Sequence, residues 1–290
     1  MTASQEGSGP AVVEREVVPR GPYRLPAPGR DGVLVARDGA LGRALHAEGE
    51  LAVVRAWVAG GRVRFRAEAP TTAAARAAVE RMRFALGTEH DLGEFHRRFR
   101  SDPLIGAAIR RSPWLRPRRR PEPFEALAWA LCEQLIESRR AAGIERSIVR
   151  RLGARSACGR WPIPPSAARV AACAPAELDA CGLAPKRSIA LIRAAREVAA
   201  GRADLREHEP CWRRLLAIPN IGAWTVEMLA VEGQGRDDML PALDLAYVLL
   251  VGRLAHGGRR ATEQEVREFF APYEEHAALA GVYALHGHRP

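Results

Sequence analysis

Lysine is almost missing from this 290-residue chain: of 44 basic side chains only Lys186 is a lysine. An amine nucleophile therefore has one candidate, and nearly every cationic contact is a guanidinium, suited to bidentate binding of phosphate or carboxylate. A GC-rich genome, which favours arginine codons, accounts for most of this bias. Cysteine is also sparse: Cys132, Cys158, Cys173, Cys181 and Cys211 form an odd set with no CxxC pair. That excludes a disulfide framework and points to buried thiols in a reducing compartment. No apolar run approaches the roughly 20 residues a membrane helix needs, and no charged segment followed by an apolar one opens the chain. The expected location is cytoplasmic, in association with the nucleoid.

What is present is a globular composition with 47% hydrophobic residues, enough for two or three compact units. A net charge of +10 favours a polyanionic partner, nucleic acid or an anionic membrane surface. No basic amphipathic anchor helix supports the membrane. Residues 1–10 read as a mobile tail. Residues 11–90 read as a small antiparallel sheet domain with one or two helices, with strands at 33–36, 51–58 and 62–66. Gly60-Gly61 joins the last two as a hairpin, and a helix capped by Thr71 or Thr72 runs to Ala85. From Asp91 to the end strand signals disappear and helical patterns take over, so the fold class is α+β and predominantly helical. Phe124, Leu127, Ala128, Leu131 and Leu135 mark one buried helical face, and residues 166–174, 175–181 and 186–200 continue as helices. Residues 114–120, WLRPRRR, read as a basic linker or a DNA-facing loop.

The chemistry concentrates in residues 215–244, LLAIPNIGAWTVEMLAVEGQGRDDMLPALD. Ile218-Pro219-Asn220-Ile221-Gly222 forms a tight turn between two apolar runs, with Asn and Gly, the residues that most easily take positive φ, at alternate positions. A turn of this kind leaves backbone N–H groups free at the start of a helix, where they can hold phosphate or simply close a helical hairpin. Asp244 stands where a helix N-cap belongs. Capping does not exclude catalysis, because a carboxylate fixed by N–H groups can stabilise a cationic transition state. Trp224 is either core or an aromatic face for a ligand.

This stretch resembles the helix-hairpin-helix DNA glycosylase superfamily, with IPNIG as the hairpin (within about 211–232) and LPALD as the loop (239–245) that carries a catalytic Asp. Residues 121–141 (PEPFEALAWALCEQLIESRRA), 181–205 and 91–106 extend the likeness to the alkylbase, or 3-methyladenine, glycosylase II branch, over roughly residues 20–286. The resemblance implies a helical region of two subdomains after the sheet domain. It implies Asp244 as the catalytic carboxylate and Trp224, Met228 and Gln134 as the base pocket. Leu135 is implied as a wedge filling the gap left by a flipped nucleotide, although its place on the apolar stripe fits a core residue equally well. Ile218, Pro219, Asn220, Ile221, Gly222, Ala223 and Thr225 are the implied DNA contacts. Carbonyls of Leu216, Ile218 and Ile221 fall where a monovalent Na or K ion binds in the family.

The implied activity is monofunctional excision of alkylated purines from damaged double-stranded DNA by a monomer, with no cofactor required. Trp224 occupies the position of the lyase lysine in branches that also cut the backbone, and no cysteine follows Cys211 to hold an iron-sulfur cluster. Departures from the pattern touch substrate range: Asn220 replaces a hairpin glycine, Met228 an aromatic, and Glu274 and Glu275 an Arg and a Ser. Two alternatives are a glycosylase for neutral lesions such as hypoxanthine, with Glu227 or His276 donating to the base, and a non-catalytic DNA-binding protein that uses the hairpin alone.

Overall fold

The computed structural model describes residues 9–156 and 158–288. The expected N-terminal tail lies mostly outside that range. Five strands, β1 (Ala11–Val17), β2 (Val35–Arg37), β3 (Ala40–Ala47), β4 (Glu50–Ala59) and β5 (Arg62–Ala69), form an antiparallel sheet in the order β1-β5-β4-β3-β2. Gly60 and Gly61 both take positive φ between β4 and β5, as a two-residue hairpin whose twist matches its strands requires. Helix α1 (Thr72–Ala85), with Thr71 accepting the Ala74 amide, lays Ala74, Ala75, Ala78, Val79 and Met82 on one face of the sheet.

Strand β3, which hydrophobic alternation did not reveal, is buried on both faces. Its second face meets the helical region. A Cβ at Gly42 would lie 2.5 Å from the Trp161 ring, so only glycine lets that indole sit against the strand. Trp161 and Ile163 belong to a short ribbon, β6 (Ala154–Arg155) with β7 (Pro162–Ile163), which corrects the expectation that no strand follows Asp91. Two residues per strand are too few to leave a period in the sequence.

The remaining elements are α2 (Gly93–Phe99), α3 (Gly106–Arg111), α4 (Pro123–Glu133), α5 (Ser138–Leu152), α6 (Ala167–Ala171), α7 (Pro175–Asp179), α8 (Pro185–Ala199), α9 (Glu209–Leu216), α10 (Ala223–Met228), α11 (Leu245–Ala255), α12 (Glu263–Phe270) and α13 (Ala277–Gly287). They enclose two helical cores. Leu127, Leu131, Ile148, Leu191, Leu215 and Leu229 belong to one, built from α4 to α10. Phe95, Ile105, Tyr247, Phe270 and Tyr283 belong to the other, in which α2 and α3 rejoin the chain's last helices. Four cysteines are buried free thiols as expected; Cys158 is exposed.

Charge, rather than apolar contact alone, joins the sheet to the first helical core. Arg43 on β3 donates to both oxygens of Glu125 on α4, at 3.2 and 2.7 Å, and both side chains are buried. Removing one member of such a pair leaves a desolvated charge, so Arg43→Met is expected to lower stability by about 3–5 kcal/mol. The exposed pair of Arg64 with Glu16 gives the contrast: in thermal unfolding Arg64→Met should leave Tm essentially unchanged.

Candidate functional site

Helices α9 and α10 are joined by the IPNIG turn as the sequence indicated, but the two flexible residues divide the work differently. Asn220 takes φ 70, the left-handed conformation, whereas Gly222 is extended at φ −110 and ψ −178 and caps α10. Gly222 is therefore not needed for its φ. A Cβ there would meet no protein atom within 4 Å, so its lack of a side chain keeps the outer surface of the turn open to an external group. Pro219, Asn220, Gly222 and Ala223 are exposed, while Ile218 and Ile221 turn their side chains into the core. Helix α10 passes into a π-helical turn, Leu229–Gly233, which packs on α4.

The end of α4 meets this hairpin. Glu133 is its last helical residue; Gln134 turns out and donates from Nε2 to the Asn220 carbonyl at 3.1 Å and to Thr225 Oγ1 at 2.8 Å. Gln134 and Thr225 thus hold the hairpin to α4. Neither lines a cavity with Asp244, and Thr225 is buried, so its expected side-chain contact with DNA does not arise. Leu135 follows at φ 55 with its side chain fully exposed. It does not continue the apolar stripe of α4, which ends two residues earlier. Arg187, donating 3.0 Å bonds to the Cys132 and Gln134 carbonyls, braces the bend that presents it.

Asp244 is the N-cap of α11: Oδ1 accepts the Ala246 amide at 2.9 Å and Oδ2 accepts Trp224 Nε1–H at 3.2 Å. Trp224 is therefore a positioning partner of the carboxylate and does not line the cavity. Met228 and Asp244 do, at the wall of a cavity of about 770 Å³, within the usual range for small-molecule sites.

The rest of that wall was not foreseen. Arg24, Trp114, Arg118, Arg120, Glu133 and Glu145 line it. Residues 114–120 are neither solvated linker nor a phosphate-binding loop; their guanidiniums are engaged internally. Arg116 donates to the Pro22 and Trp114 carbonyls, Arg118 to Glu232 and Glu133, Arg119 to Asp237, and Arg120 to Asp31 and Glu125. Burial works against the charge on Asp31, yet Arg120 and the Val33 amide hold its carboxyl below the usual range. Burial pushes Glu133 up. Trp114 is half-buried, and the Arg24 guanidinium lies 3.5 Å above its ring, a close cation-π stack inside the cavity.

A signal for Glu145 was available. It lies among Ala141, Ile148, Val149 and Leu152 on the buried stripe of α5, where a carboxylate is out of place unless paired. Trp114 offered none, because one aromatic in a basic, proline-containing run has no period. The two residues considered as donors to a base stand elsewhere. Glu227 is bound by Arg267, and His276 packs against Phe95 and Phe99 in the second core. Lys186 is exposed at the first turn of α8.

No protein-family model matches the chain. It is 25% identical over 203 residues to the DNA-3-methyladenine glycosylase of Bacillus subtilis, a match that covers 67% of each chain. Over 136 residues it is 31% identical to DNA-3-methyladenine glycosylase 1 of Schizosaccharomyces pombe, covering 43% of this chain and about half, 54%, of that one. Among solved structures, a 3-methyladenine DNA glycosylase from Archaeoglobus fulgidus matches 87% of this chain and 88% of its own, with TM-score 0.76 and 22% identity.

The exposure of Leu135 gives a test of the bend. Leu135→Ala should leave chemical-denaturation stability within about 0.5 kcal/mol of wild type, whereas Leu131→Ala, one turn earlier in the core, should cost about 2–5 kcal/mol.

Proposed function

From the premise that the chain belongs to the helix-hairpin-helix DNA glycosylase superfamily, we propose that it is a monofunctional glycosylase that excises alkylated purines from duplex DNA. The observation that carries this reading is the joint position of Asp244 and an aromatic-cation stack on the wall of one cavity beside an exposed hairpin and an exposed leucine.

Each part has a physical task in the proposed reaction. The hairpin's outward N–H groups, at Asn220 to Ala223, hold a phosphate without reading sequence. Leu135 enters the stack and takes the space of the extruded nucleotide, which offsets part of the few kcal/mol that flipping costs. Asp244, fixed by the Ala246 amide and Trp224, holds negative charge beside the sugar as the C1′–N bond breaks and cationic character develops there. An N-alkylated purine is already cationic and departs neutral, so its departure needs no proton.

Trp114 supplies the aromatic surface that Trp224 does not. A cationic purine on its face would take the place of the Arg24 guanidinium, which occupies that face with the same sign of charge in the free protein. Met228, unbranched and polarizable, fills the wall without imposing one shape.

At the hairpin, Ile218 O accepts the Ile221 amide at 3.0 Å and keeps a second lone pair. Together with the Leu216 and Ile221 carbonyls, this all-oxygen donor set fits a monovalent cation such as Na or K, which would stiffen the turn. No residue of the set is a soft ligand, and the reaction itself draws on no cofactor. DNA is the partner; action as a monomer and residence with the nucleoid complete the proposal.

The experiment is release of free 7-methylguanine from methylated duplex DNA, with strand breaks scored before and after alkali. Release with breaks only after alkali is expected; breaks without alkali would contradict the monofunctional reading. Trp114→Ala should lower release by about 5- to 100-fold, from the roughly 1–3 kcal/mol an aromatic-base stack supplies, with a smaller effect on duplex affinity. Equal losses in both would remove Trp114 from the pocket.

A further inference from the structure

Five carboxyl groups gather around Arg43, Arg118 and Arg120 at the floor of the cavity, and four of them are paired. Asp31 and Glu125 bind Arg120, Glu125 also binds Arg43, and Glu133 and Glu232 bind Arg118. Glu145 is the fifth. It is 3% exposed, it lines the cavity that Asp244 lines, and its Oε1 has no hydrogen-bond partner. A buried polar atom without a partner costs stability, and here that atom belongs to the wall of the space that would receive a base.

We propose that Glu145 is a proton donor to the flipped base, giving this glycosylase a second substrate class: neutral damaged purines, which unlike cationic ones cannot depart without a proton. The proposal rests on the glycosylase reading above. The C1′–N9 bond breaks with its electron pair moving to the purine, and the Glu145 proton passes to a ring nitrogen or carbonyl oxygen of the departing base. Water adds to C1′ and loses a proton to solvent, from which Glu145 is reprotonated. Asp244 acts on the sugar and Glu145 on the base, so two carboxyl groups with different surroundings hold opposite protonation states.

The surroundings of Glu145 support that division. Burial, with Glu133 on α4 and Asp31 on the N-terminal segment facing it, raises its carboxyl, and Arg118 and Arg120 only partly oppose this, leaving it at about 8. The proton is therefore in place below about pH 8 and is lost above it. None of the four neighbours is free to replace it as donor, because each is held in an ion pair.

The test uses the full chain and two duplexes, one carrying hypoxanthine and one carrying 7-methylguanine. Glu145→Gln keeps the shape of the side chain and removes the acid. Hypoxanthine release by Glu145→Gln should fall by about a hundredfold or more while 7-methylguanine release stays within about threefold of wild type, which also shows that the variant is folded. Wild-type hypoxanthine release should decline about tenfold per pH unit above pH 8, and 7-methylguanine release should not follow it. Unchanged hypoxanthine release in Glu145→Gln, or parallel loss of both activities, overturns the proposal. So does a wild type that releases 7-methylguanine but no hypoxanthine. Release of neither base by the wild type would overturn the glycosylase reading itself.

Discussion

The structure depends on one buried guanidinium. Arg120 donates to Asp31 of the N-terminal segment at 2.7 Å and to Glu125 of α4 at 3.1 Å. Its backbone amide donates to the Glu232 carbonyl in the π-helical turn after α10 at 2.7 Å. One residue thus ties together the sheet side, the helix that ends at Leu135, and the helix that begins at the hairpin. Trp129 adds a bond to Asp31, and Arg43 closes the set on Glu125. Buried ion pairs add little net stability over a well-packed apolar core, but each is costly to break, so the arrangement favours one relative placement of its parts. The cavity lies among these three elements.

That constraint explains why an arginine-rich surface reading failed for residues 114–120. Charged runs are usually solvated, and a cluster of arginines beside a nucleic-acid-binding motif invites assignment to phosphate. The carboxylates that claim these arginines come from residues as distant as 31, 133, 232 and 237, so no local window of sequence contains the pairing. Burial of charge is a tertiary property, visible only once both partners have positions.

Other features were legible because their causes are local. The Gly60-Gly61 hairpin, the Thr71 cap, the IPNIG turn with left-handed Asn220, and Asp244 as an N-cap each follow from residues within a few positions of one another. Leu135 shows the limit of periodicity: it falls in register with the apolar face of α4, yet the helix ends at Glu133 because Gln134 bonds to the hairpin 86 residues away. β3 escaped because burial on both faces removes the alternation that marks a strand. Trp224 was correctly drawn to Asp244 by spacing but misassigned in role, since its indole N–H binds the carboxylate and its ring leaves the cavity wall to Trp114.

Function in this account comes down to a carboxylate held in place by two donors, one backbone and one indole, where it can face a sugar. The most direct measurement compares wild type with Asp244→Asn for both duplex binding and release of 7-methylguanine. Asn can still accept the Ala246 amide, so the cap and the fold should persist. The account predicts that release falls by about a thousandfold or more with duplex affinity essentially unchanged. Release that survives the substitution would contradict it.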